Sequence, residues 1–376
     1  MLGTIPTYRT PRSPPPLPPN IKMADSEETK DARSDTQGVL YMGIDLGTSR
    51  TSVSASNGVR ETVESFVGYP KDPVARKLLQ KDVLFGQEAR DKRLSLNLHR
   101  PLEHGVLKFN QDGAEDGESL RAAQDLVQEI VRLAQPRSDE LVYAVIGVPA
   151  QASIHNKDAI LQAARKAVDS VMLCSEPFSV AYGLDMLEDV LVIDIGAGTV
   201  DLCRMHGTMP EESDQITLTT AGDFVDKELS GEITKAFPDA QFSIQMVKGI
   251  KERYSTVEPK AEGLIVDLPV QGKPQSFDLT EAIRSACNRI VPPIVEGLGQ
   301  LIATFDPEFQ ERLKQRVLLA GGGSQIRGLD TAIESEMVKT LGAGHVIRTE
   351  EPVYGGANGA LKIAHDMPGD YWDELK

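Results

Sequence analysis

The chain has 376 residues, 40% hydrophobic and 26% charged, enough to bury a large core and to hold more than one domain. Its formal net charge of −16 leaves no surplus of cations to displace phosphate counterions, which argues against direct nucleic-acid binding. No apolar run approaches the roughly 20 residues that span a bilayer, and the N-terminus lacks a signal peptide's apolar core, so direct membrane insertion is not expected.

Residues 1–37 read as a disordered extension. Pro11-Arg12-Ser13-Pro14-Pro15-Pro16-Leu17-Pro18-Pro19 favours polyproline II, and a polar, charged stretch follows to Asp35. Met23 is an alternative start for the chain. From residue 38 onward, strands and helices alternate as in an α/β sheet protein. The apolar run 39–46 reads as a buried strand that delivers Asp45 into the turn Gly47-Thr48-Ser49. Strands over 51–56 and 59–65 follow. The stretch from about 67 to 107 departs from this rhythm and is richer in Lys and Arg. Residues 119–133 set Leu120, Ala123, Leu126, Val127, Ile130 and Val131 on one side of a helix. A buried strand over 142–148 then leads through Val148-Pro149-Ala150 to a helix over 156–169.

The second half, starting near Cys174, repeats the scheme. The run 190–195 delivers Asp194 into the turn Gly196-Ala197-Gly198-Thr199, and strands over 201–204 and 217–220 follow. Residues 282–301 read as one long helix, kinked at Pro292 and Pro293. A third buried run, Arg316 to Ala320, opens into Gly321-Gly322-Gly323-Ser324, with Ile326, Leu329 and Ile333 at helical spacing behind it. A last helix covers 355–366 and opens Gly355-Gly356-Ala357-Asn358-Gly359-Ala360.

This pattern carries chemistry. Glycines let backbone approach a phosphate, successive N–H groups form an anion-binding nest, and Thr48, Ser49, Thr51 and Thr199 add hydroxyl donors. An aspartate at a strand end holds the waters of Mg²⁺, a role that suits Asp45 and Asp194. Two such turns face to face clamp a nucleotide triphosphate from both sides. Strand, glycine turn and helix N-terminus at Gly321–Ser324 then suit the adenosine side of the ligand. The duplication implies two similar halves with the ligand cleft between them. Cys174, Cys203 and Cys287 form no metal-ligand or redox motif, which fits a reduced cytosolic setting, and the six histidines lack metal-like spacing.

Two phosphate turns, a Gly-Gly-Gly-Ser loop and two linking helices, taken as 156–169 and 355–366, resemble the superfamily of actins, DnaK-type chaperones and sugar kinases. Ser175-Glu176-Pro177-Phe178-Ser179-Val180-Ala181-Tyr182-Gly183 is similar to the bacterial actins. Val67-Gly68-Tyr69-Pro70-Lys71-Asp72, Ala144-Val145-Ile146-Gly147-Val148-Pro149-Ala150 and Tyr371-Trp372 resemble the branch that forms filaments along magnetosome chains. The resemblance implies an actin-like two-lobed α/β fold of duplicated mixed-sheet domains. A first lobe would cover 38–173 with a small subdomain at about 67–107, and a second 174–353 with one at about 224–279. The segment 354–376 would return to the first lobe.

The resemblance further implies an ATPase using ATP and Mg²⁺ in the cytoplasm. Glu176, before a proline and so expected extended, would act on the attacking water with Asp194. Gly222, in a Gly-x-x-x-Asp turn ending at Asp226, would approach the phosphates, and Lys251 matches a family lysine that touches the adenosine. Lys248 stands where a glutamate is expected. Head-to-tail filaments and magnetosome-associated adaptor proteins are the implied partners. The alternatives are a cell-shape or plasmid-segregation actin, or a small-molecule kinase of the same superfamily.

Overall fold

A computed structural model of the protein describes residues 38–108 and 117–375; the proline-rich and charged extension lies outside the described residues. Two five-stranded sheets with matching strand order form the frame. In the first, central Gly38–Leu46 runs antiparallel to Arg50–Ala55, which pairs with edge strand Arg60–Glu64. On its other side it runs parallel to Glu140–Val148, and Ser170–Ser175 completes the sheet. In the second, central Val190–Ile195 runs antiparallel to Val200–Met205, followed by Gln215–Leu218. It runs parallel to Val317–Ala320, which is flanked by Val346–Arg348. The fold is thus mixed α/β and duplicated strand for strand.

Period-two alternation decides what each sheet face does. Leu40, Met42, Ile44 and Leu46 bury themselves in the outer core of the first lobe, and Leu191, Ile193 and Ile195 in that of the second. Their alternate neighbours point inward. Val145, Val190, Val192, Cys203 and Leu318 form a third core between the sheets, with Phe178, Val180, Ala360, Ile363 and Trp372. Asp45 and Asp194 occupy inward positions of their strands, so the alternation that builds the core also aims both carboxyls into the space between the lobes.

Two helices fill that space, and they are not the expected pair. The helix predicted over 156–169 spans Ile154–Ala164 and packs its Ala159, Ile160, Ala163 and Ala164 into the outer core of the first lobe. The crossing pair is Glu176–Gly183 and Gly355–Asp366. A Cβ on Gly359 would stand 1.7 Å from the Ser179 carbonyl oxygen, and one on Gly183 would stand 2.9 Å from Gly359 Cα. Only glycine allows backbones this close. Each helix covers the sheet whose strands it does not directly follow: Glu176–Gly183, which continues from Ser170–Ser175 of the first sheet, lies against Val190–Ile195 and Val200–Met205 of the second. Gly355–Asp366 lies against Gly38–Leu46, and its Asn358 Oδ1 accepts from the Ser54 hydroxyl at 2.7 Å.

The segment from Val67 carries its own three-stranded sheet, ordered Leu84–Phe85, Val67–Pro70, Leu96–His99, over a small core of Phe66, Leu84, Ala89 and Leu96. In the second half, helices Gly222–Ala236 and Ile244–Tyr254 and the hairpin Ile265–Val270 with Lys273–Asp278 occupy the corresponding stretch. The long helix expected over 282–301 is two helices, Thr280–Asn288 and Val291–Ala303. Two successive prolines remove two N–H donors, which a helix tolerates in its first turn and not in its interior. The chain therefore restarts at Val291 instead of kinking. Among the described residues no helix is long and apolar enough to cross a membrane.

Candidate functional site

Both central strands end at the same level, each in a glycine turn, and the turns meet across a cleft of about 340 Å³. A Cβ added to Gly198 would lie 2.4 Å from Thr48 Oγ1 and 2.8 Å from His104 Cα, so the second turn reaches the first only as glycine. The first turn is braced from its own lobe: Gly105 N–H donates to Thr48 Oγ1 at 2.7 Å and Arg100 Nε to the Thr48 carbonyl at 2.8 Å. Arg100 also spans to Asp223 of the second lobe at 2.9 Å. The second turn rests on the start of Gly222–Ala236, whose Gly222 and Asp223 N–H groups donate to Gly196 and Ala197 carbonyls at 3.2 and 2.7 Å. The turns are thus braced from both lobes, and their residues line the cleft.

Of the residues anticipated from sequence, Asp45, Gly47, Thr48, Ser49, Glu176, Asp194, Gly196, Ala197, Gly198, Thr199, Gly222, Lys251 and Gly321 to Gly323 line this cleft. Gly321 has φ +75°, and a Cβ there would meet Asp194 Oδ1 at 2.2 Å, which accounts for the glycine at that turn. Two expected residues are elsewhere. Thr51 pairs with Leu46 and so shares its outward face, where it is fully buried and its hydroxyl bonds Ser65 at 3.0 Å. Ser324 is fully buried inside the short 3₁₀ turn Gly322–Gln325 and does not reach the cleft wall. Glu176 is not extended either. Ser175 holds the extended conformation (φ −76°, ψ 143°) and Glu176 opens the helix, its carboxyl at the positive end of the helix dipole.

Lys251 lines the cleft with its ammonium already engaged, by Asp226 at 2.9 Å and the Gly222 carbonyl at 2.7 Å. It fixes Gly222, the phosphate-side glycine, to the helix behind it. Further residues at the site were missed. Ser52 sits opposite Asp45 in the hairpin register and Asp201 opposite Asp194, so the alternation that placed the two aspartates also placed these. Lys248 and Glu252 enter from the helix Ile244–Tyr254; Lys248 stands at the motif position where a glutamate is expected, and no local signal marks Glu252.

Asp45, Glu176 and Asp194 line the floor of the cleft, and Asp201 is fully buried beside Asp194. Burial pushes Asp45 up to about 6. Burial first, then repulsion from Asp201, Asp45 and Asp194, lifts Glu176 well above the carboxylate range. Asp194 is raised by burial and by Asp45 and Asp201. Burial also raises Asp201, although Oδ1 accepts from the Thr217 hydroxyl at 2.6 Å and the Ala150 N–H at 2.9 Å. Buried like charges without a cation among them are the donor set a divalent ion relieves. Among the described residues no three acidic, histidine or cysteine side chains converge closely enough to ligate an ion directly. An ion that keeps most of its waters fits such a floor, and Mg²⁺ does so.

Paired lobes, mirrored strand–turn units and a carboxylate floor at their meeting define the nucleotide-cleft class to which actin belongs. The MreB/Mbl protein family model matches residues 40–369. The chain belongs to the MreB/Mbl family of actin-like proteins. It is 37% identical over 350 residues to "Actin-like protein MamK" of Magnetospirillum gryphiswaldense, covering 93% of this chain and 96% of that protein. Its fold is similar to that of a MamK double helical filament, with a TM-score of 0.84 at 38% identity, covering 88% of this chain and all of that one. A non-polymerising MamK mutant bound to AMPPNP matches with a TM-score of 0.68 at 37% identity, over 88% of this chain and all of that one.

Proposed function

We propose that the chain is a filament-forming ATPase whose assembly is governed by the nucleotide in the interlobe cleft. The observation that carries this reading is the meeting of the two turns, close enough at Gly198 and Thr48 to grip a polyphosphate from both sides. In phosphoryl transfer to water, positioning and charge stabilisation do most of the work. Backbone N–H groups of Gly47 to Ser49 and of Ala197 and Gly198 orient the phosphates, and Gly321 to Gly323 form the wall on the adenosine side. Asp45 and Asp194 would hold the waters of a Mg²⁺ ion, which would supply positive charge against that of the phosphates. Glu176, fixed by its helix start at the cleft floor, orients the attacking water and accepts its proton.

Likeness to a protein that forms a double helical filament supports self-assembly of this chain. Head-to-tail contact through unlike surfaces does not close on itself and yields an open filament. ATP favours assembly and hydrolysis weakens it, through a difference in affinity between nucleotide states. In this reading the filament aligns magnetosomes in the cytoplasm through adaptor proteins, as the sequence resemblance implies.

Pelleting with electron microscopy tests this, using ATP with Mg²⁺ and then ADP, for the wild type and Glu176→Ala. Expected are ATP-dependent filaments of the wild type, and variant filaments that persist while phosphate release falls about a hundredfold or more. ATP consumption with no assembly at any salt would sink the filament reading. Wild-type phosphate release by Glu176→Ala would remove Glu176 from the chemistry.

A further inference from the structure

Three cations press on the phosphate turns, and two of them are satisfied. Arg100 is paired with Asp223 at 2.9 Å, and Lys251 with Asp226 at 2.9 Å. Lys248 is different. It leaves the helix Ile244–Tyr254 of the second lobe and crosses the cleft to donate to the Ser49 hydroxyl of the first turn. Its side chain is only 12% exposed, yet its ion-pair partner Glu252 stands 4.0 Å off and is itself 46% exposed. Burial lowers the basicity of the ammonium, and neighbouring Arg100 and Lys251 lower it further against the pull of Glu252. A hydroxyl cannot neutralise a half-desolvated ammonium. The N–H groups of the turn it touches call for an anion in the same place.

We infer that Lys248 is a polyphosphate-contacting residue that makes this cleft select nucleoside di- and triphosphates, resting on the nucleotide reading above. One phosphate oxygen set between Lys248 and the Gly47–Ser49 turn satisfies the ammonium and the nest together, as a charge-assisted contact. Because Lys248 belongs to one lobe and Ser49 to the other, that phosphate also ties the lobes together. A nucleoside, lacking the anion, leaves Lys248 on the Ser49 hydroxyl and does not report through it.

Calorimetric titration of the full chain with ATP and ADP in the presence of Mg²⁺, and with adenosine, tests the assignment in wild type, Lys248→Met and Lys248→Arg. Lys248→Met should weaken ATP and ADP binding by about ten- to a hundredfold, the worth of a hydrogen bond to a charged group. Adenosine binding should be unchanged, and Lys248→Arg should recover most of the loss. The ligand-free melting temperature of Lys248→Met should hold or rise, because a poorly paired buried charge is removed. Equal losses for adenosine and ATP would place Lys248 on the ribose or base and overturn the inference, as would ATP binding unchanged in Lys248→Met. Wild-type protein that binds none of the three ligands would sink the nucleotide reading and this inference with it.

Discussion

Three carboxyl groups line the cleft floor with a fourth buried beside them, and each costs stability so that the site can hold a cation. Removing one charge while keeping the shape should therefore separate stability from function. Asp194→Asn is expected to raise the melting temperature of the nucleotide-free protein near pH 7.5 and to abolish the further rise on adding ATP and Mg²⁺. Fluorimetric melting with and without ligand checks this, and a lower ligand-free midpoint in the variant counts against it. The pH dependence has a definite sign. An acid whose folded value is raised binds more protons folded than unfolded, so its penalty is complete above the folded value and lifts as pH falls toward the unfolded one. For Asp45 that window lies between about 6 and 3.8. Ligand-free wild type should gain stability from this site on going from pH 7 toward 5, and Asp45→Asn should flatten that gain. At this scale the sequence was legible wherever a residue sits on a strand or in a glycine turn, because alternation and turn chemistry fix its direction. Thr51 was misplaced by ignoring that same alternation, one position from Ser52, which does face the cleft. Lys248 was not legible as a binding residue, since its part depends on how a distant helix is laid against Ser49.

Among the elements, the crossing of Glu176–Gly183 and Gly355–Asp366 is the tightest joint of the molecule. Gly359→Ala places a methyl group against the Ser179 carbonyl, and backbone cannot yield as a side-chain tip can. A loss of about 1–3 kcal/mol, as for overpacked cores, is expected in urea unfolding, with the floor of the cleft distorted because Glu176 opens one of the two helices. An unchanged unfolding midpoint would show that the crossing is not tight in solution. The glycines and alanines of Gly355–Ala360 announce a close partner without naming it. The partner was sought in the helix after Val148-Pro149-Ala150, which instead has one apolar face and spends it on the outer core. The true partner, Glu176–Gly183, carries small residues of its own at Ser179, Ala181 and Gly183. The split of the predicted long helix at Val291 has a plainer cause, since helical periodicity runs on through a break while paired prolines do not.

For the whole molecule, charge sets the terms of assembly. Subunits each carrying a formal −16 repel one another, and the repulsion between exposed charges falls once the screening length drops to about 10 Å or less near 0.1 M salt. Raising potassium chloride from 20 to 200 mM at fixed ATP and Mg²⁺, conditions that span this screening range, should lower the concentration at which filaments first pellet. A threshold that rises with salt would instead mean that oppositely charged surfaces meet in the filament. The duplication was readable because both turns and both strand-end aspartates recur in one order, and the matching sheets follow from it. Which surfaces meet in a filament was not readable, because surface residues keep no fixed spacing.

Each sheet is roofed by the helix that follows the last strand of the other sheet. A cut in the loop between Gly183 and Val190 would leave a first fragment with a bare apolar sheet face and a surplus helix, and a second fragment with the complementary defect. Expressed apart, both should aggregate; expressed together, each supplies what the other lacks. The repeat is therefore not two modules joined by a hinge. It is one obligate pair written on a single thread, and the seam that grips the ligand is the seam that cannot be unpicked.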